Sequence, residues 1–164
     1  MTCNPRYHMI SRDLLQQRLL QSTCNVFTVM ADIALEECSD GPDEQQEHWV
    51  TAMVGFEGTY SGLVVLHCPE PLARRIAAGL VCSDADMHVQ EVHDAMGEVV
   101  NILGGDIKLL MDNGGRHVHM SIPSVFKGDG TFHSEFMTVP DTVTFTLSTG
   151  DERLLVGVHI CRGE

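Results

Sequence analysis

Between Asp86 and Met111 apolar residues recur at three- and four-residue steps, a spacing that fits one long amphipathic helix and neither a strand nor a linker. Advancing about 100° per residue from Asp94 places Val92, Met96, Val99, Leu103 and Leu110 within roughly 40° of the opposite side, with Val89, Val100 and Ile107 widening that arc. The same arithmetic sets Glu98 near +40°, Gly105 near +20° and Asn101 near −20°, so Glu98 and Asn101 share an exposed ridge about one turn apart. The stretch "DAMGEVVNILGG" also carries Gly97, Gly104 and Gly105. Each interior glycine costs about 1 kcal/mol relative to alanine, so three of them imply a close approach to this helix, by a strand of the same chain or by a partner's surface, or a kink or end of the helix at Gly104-Gly105.

The remaining segments supply what that helix can pack on. From Asp13 to about Ile33 the residues Leu15, Leu19, Val26, Met30 and Ile33 keep helical steps behind Ser11 as N-cap. Residues 37–47 are acidic, contain a Gly-Pro break and predict an exposed loop. "HWVTAMVGFEGTYSGLVVLHC" reads as two strands turning near Gly58, and "PEPLARRIAAGLV" as a short helix. Asp84 or Asp86 is the expected start of the long helix. "HVHMSIPSVF", "SEFMTVP", "TVTFTLS" and "RLLVGVHICR" then predict strands separated by turn signals. The order gives an α+β fold, an antiparallel sheet with long helices packed on one face, as a single domain over residues 1–164.

Charge removes several function classes. Ten Lys and Arg stand against 23 Asp and Glu, a net charge of −13, and only Lys108 and Lys127 are lysines. No basic stripe exists to follow a phosphate backbone, so neither nucleic acid nor an anionic membrane surface is an expected partner. The six cysteines form no CxxC pair, and no apolar run approaches the roughly 20 residues that span a bilayer, so a reduced, cytoplasmic protein is expected. His117 and His119 stand at HxH spacing with His93 or His159 elsewhere, but no third ligand has diagnostic spacing and no metal site is assigned. Nucleophile-elbow and P-loop patterns do not occur.

Asp94, Glu98 and Asn101, followed by Pro123, resemble the signature of the CheC/CheX/FliY family of response-regulator phosphatases: an Asp or Ser, a Glu, an Asn and then a distant Pro. The 21 residues between Asn101 and Pro123 are one fewer than in the family pattern. "GTYSGLVVLHCPEPLARRIAAGLV" looks like the strand, turn and short helix that precede the motif helix, and "LLQSTCNVFTVM" like the family's first long helix. That first helix offers Ser22, Val26 and Val29 where a second motif would stand, so a single motif points to the CheX branch, whose members resemble dimers.

The resemblance implies a CheC-like fold and hydrolysis of the aspartyl phosphate of a CheY-like receiver domain. Asn101 would orient the in-line water, Glu98 would dock the receiver's lysine, and Asp94 and Pro123 would be accessory. No cofactor of its own is implied, because the receiver supplies Mg²⁺. Gly97 and Gly105 are the expected points of partner approach. The alternative is a non-catalytic dimeric adaptor that binds phosphorylated receivers.

Overall fold

The computed structural model describes residues 10–162 except 42, 44, 84–85, 132–134 and 137. Helix α1 (Arg12–Ala31) begins where the Ser11 hydroxyl accepts from the Leu14 N–H at 3.1 Å, and stops where Asp32 turns left-handed. The predicted acidic loop opens differently, because β1 (Glu36–Cys38) is a short strand. Its backbone can pair at a sheet edge whatever its side chains, and short charged edges resist further pairing.

Strands β2 (Trp49–Gly58) and β3 (Tyr60–Pro69) form the expected hairpin. Gly58 has φ of 134°, and a side chain there would collide with the His117 carbonyl. Helix α2 (Glu70–Leu80) follows directly. The long helix α3 (Val89–Lys108) starts later than predicted: Asp84 lies outside the described residues, Asp86 is not helical, and His88 is the cap. The His88 N–H donates to the Glu91 carboxylate at 2.8 Å, while Met87 and Val92, on either side of the cap, are both buried in the core. An apolar pair astride the cap outweighs aspartate's capping preference. Val89, expected in the apolar arc, is 45% exposed because it precedes the packed stretch that opens at Val92.

The remaining strands are β4 (Val118–Met120), β5 (Ser124–Gly128), β6 (Val143–Thr149) and β7 (Glu152–Arg162). The antiparallel sheet runs β1-β6-β7-β3-β2-β4, with β5 also on β2. Helices α1, α2 and α3 contribute to one core, including Phe27, Ile76, Met96 and Leu103, with Val54, Leu66 and Val156 facing them from the sheet. α3 packs on β2 and against both other helices. Buried Ser22 of α1 donates to the Asp106 carboxylate of α3 and Val26 is also buried, whereas Val29 is 73% exposed, so of the three positions where a second motif would stand two are spent on packing and the exposed one is a valine.

None of the described residues of "SEFMTVP" lies in a strand. Glu135 and Phe136 are helical, and Phe136 is buried against Gly157 on the sheet face opposite α1–α3. Trp49 stacks on His67 on that same face, ring centroids 4.3 Å apart. The segment's apolar residue thus roofs the sheet instead of extending it.

Candidate functional site

The site begins with a break in the edge of the sheet. β4 and β5 both pair with β2, Met120 opposite Phe56 and Ser124 opposite Met53. Between those pairs Ser121, Ile122 and Pro123 stand against only Val54 and Gly55, so one extra residue bulges out. "HVHMSIPSVF" is therefore two strands rather than the single one expected. Proline has no N–H to give a ladder and is tolerated at such an edge bulge. Ser121 pins it from both sides: its N–H donates to the Gly55 carbonyl at 2.9 Å, and its hydroxyl accepts from the Gly55 N–H at 2.8 Å.

The bulge lays Pro123 on α3 at Gly97. A β-carbon on Gly97 would stand 3.5 Å from Pro123 Cβ and 3.6 Å from Val125 Cγ2, ordinary contact distances, so this chain's own proline lies against the helix at this glycine. Gly104 is closer still: a β-carbon there would lie 2.6 Å from Val54 Cγ1 and 2.8 Å from Met120 Cε. Gly105 alone of the three faces open space, and α3 runs through it unbroken.

Asp94, Gly97, Glu98, Asn101 and Pro123 line one open groove of about 420 Å³. Gly105 does not line it. Asp94, Glu98 and Asn101 are exposed. The Asp94 carboxylate accepts from Gln90 Nε2 at 2.8 Å, whereas no described residue hydrogen-bonds the side chains of Glu98 or Asn101. Four further residues line the groove: Gln90, half-buried His93, whose Nε2 finds no hydrogen-bond partner among the described residues, Val125, and Ile122 at the rim. A proline inside a strand-like run was the signal for the bulge that brings Ile122 here.

The groove carries two carboxylates and no lysine or arginine. Its β5 wall is tied to α2 by Glu70, which meets Lys127 at 2.8 Å and Arg74 at 3.1 Å. The Lys127 hydrogen bond, helped by Arg74, holds the Glu70 carboxyl below its usual range. His117 and His119 are exposed, and among the described residues no group of three or more His, Cys, Asp or Glu side chains is arranged to hold a metal ion. The five described cysteines are free, and no described helix is long and apolar enough to cross a membrane.

Chemically, the ridge presents an amide whose oxygen can accept and whose nitrogen can donate, beside a carboxylate free to take a partner's cation. Neither group is spent on holding the fold.

Residues 50–140 match the family described as chemotaxis phosphatase CheX. Among solved structures, chemotaxis protein CheX from Vibrio vulnificus superposes with a TM-score of 0.70 at 21% identity, covering 92% of this chain and 99% of that one. The CheX of a CheX–CheY–BeF3–Mg complex from Borrelia burgdorferi gives 0.64 at 17% identity, covering 93% and 99%. FliY from Thermotoga maritima gives 0.56 at 15% identity, covering 96% and 91%. These likenesses establish a shared fold. No curated protein sequence matches the chain significantly.

Proposed function

Because the chain belongs to the CheX chemotaxis-phosphatase family, we propose that it hydrolyses the aspartyl phosphate of a CheY-like receiver domain, with Asn101 and Glu98 as the working residues. The observation that carries this reading is the Asn101 amide, exposed and unengaged one turn from an equally unengaged Glu98, in a groove closed on one side by Pro123.

An acyl phosphate is already reactive, and its loose transition state asks mainly for a water in line with phosphorus. A receiver of this class brings the Mg²⁺ that neutralises charge on the phosphoryl oxygens. What this chain adds is position: Asn101 accepts from the water through its oxygen, donates to a phosphoryl oxygen through its nitrogen, and brings no negative charge beside a dianion. Glu98 pairs with the receiver's lysine and fixes its orientation, a local contact that offsets repulsion from a chain of net charge −13. Asp94, already held by Gln90, supports the ridge and is not needed as a base.

The complex from Borrelia burgdorferi, in which a CheX is bound to CheY, supports a receiver as partner. A homodimer and a cytoplasmic location belong to the same proposal; sedimentation of the purified chain at micromolar concentration distinguishes 18.1 kDa from twice that mass. The decisive experiment follows phosphate loss from phosphorylated receivers of the same organism, using catalytic amounts of wild type, Asn101→Ala and Glu98→Ala. Multiple turnovers that vanish with Asn101→Ala are expected. Stoichiometric binding without turnover would instead make the chain an adaptor.

A further inference from the structure

The groove has a feature that the polar ridge does not explain. Ile122 stands at its rim with 88% of its surface exposed, next to Pro123. This is no floppy loop tip, because Ser121 bonds twice to Gly55 immediately before it. The fold therefore holds a large aliphatic side chain in water, in a fixed place, beside the residues proposed to act on a receiver.

A single exposed aliphatic residue is ordinary, but this one has a counterpart across the ridge. The other flank of Asp94 and Glu98 is a mostly apolar depression formed by Met30 of α1, Leu80, Val81 and Ala95 with Glu91, and Val81 there is 58% exposed. Glu98 lines both hollows. The ridge thus runs between two exposed apolar side chains, Ile122 on the bulge and Val81 at the C-terminal cap of α2, which a partner covering the ridge would bury. With a net charge of −13 and no lysine or arginine lining either hollow, the affinity for a partner cannot come from a basic patch.

Resting on the function proposed above, we propose that Ile122 is the apolar anchor by which this chain selects its receiver domain, with Val81 gripping the same receiver across the ridge. The complementary surface is uncharged and apolar, and borders the receiver's phosphorylated pocket. Ile122 and Val81 set how tightly a receiver is held, and Asn101 sets what happens once it is.

The test measures turnover against receiver concentration for Ile122→Ser, Val81→Ser and the control Val139→Ser, a valine 38% exposed that lines neither hollow and whose N–H donates to the Phe136 carbonyl. It adds binding of each to receivers activated with beryllofluoride and Mg²⁺. The expected result is a KM and a Kd raised roughly ten- to hundredfold for Ile122→Ser and several-fold for Val81→Ser, with kcat kept within about twofold and the control unchanged. Wild-type turnover with an unaltered KM in Ile122→Ser would overturn the anchor and leave the phosphatase standing. Binding without turnover, weakened by Ile122→Ser, would uphold the anchor and remove the phosphatase. Absence of both turnover and binding across the organism's receivers would overturn both.

Discussion

Pro123 rests on Gly97: the Cβ of a proline from the edge of the sheet lies 3.5 Å from where a β-carbon on that helix residue would stand. That contact joins the bulge to the ridge that carries Glu98 and Asn101. It is ordinary van der Waals distance, so alanine fits. Gly97→Ala should raise stability by about 0.5–1 kcal/mol and preserve receiver turnover. Gly97→Leu should displace Pro123 and lower turnover at least tenfold while the protein stays folded. Chemical denaturation and turnover of the two variants provide the check, and equal activity in both would disconnect the contact from function.

Adjacent glycines should respond with opposite signs. Gly104→Ala drives a β-carbon to 2.6 Å from Val54 Cγ1 and should destabilise by about 1–3 kcal/mol despite alanine's better helix propensity. Gly105→Ala meets nothing and should stabilise by about 0.5–1 kcal/mol. Gly105→Leu, folded but bulky, should weaken receiver binding if a partner approaches there. Urea midpoints and receiver titrations read all three.

At the ridge, Asn101→Ala should lower kcat about a hundredfold to a thousandfold with little change in KM, the loss expected for one positioning group. Asn101→Asp should do no better, since it sets a negative charge beside the phosphoryl group. Glu98→Gln should raise KM and flatten its dependence on salt, because the lost contact is an ion pair. A kcat unaltered in Asn101→Ala would move the water-orienting role elsewhere.

The Glu70–Lys127 tie gives a pH signature. Glu70's folded pKa is depressed, chiefly by Lys127, so its stabilisation is fully present above the unfolded value, about pH 4.3, and is lost as pH falls through the lowered folded value. Lys127 is substantially exposed, which holds the contribution within about 1 kcal/mol. Glu70→Gln should therefore cost little at pH 7, and the gap from wild type should close on acidification. A gap that widens in acid would reverse the assignment.

How much of this was legible follows from which interactions are local. Helical periodicity revealed the ridge, because Glu98 and Asn101 are neighbours on any helix carrying that arc, and strand patterning with the Gly58 turn revealed the β2–β3 hairpin. The cap at His88 was misjudged because aspartate's intrinsic preference yielded to the burial of Met87 and Val92. "SEFMTVP" was misjudged because Phe136 found burial on the far face of the sheet.

By itself the sequence determined the α+β class, the helical ridge with its acid and amide, and the net charge of −13. All of these depend on spacing within one element or on composition. Only the tertiary structure decided which glycine serves which neighbour, since Gly97, Gly104 and Gly105 are equivalent in propensity and differ only in what faces them. It alone decided that Pro123 closes the groove and that Ile122 stands at its rim, because a bulge is defined by the register of two strands some seventy residues apart, and no local pattern encodes a register.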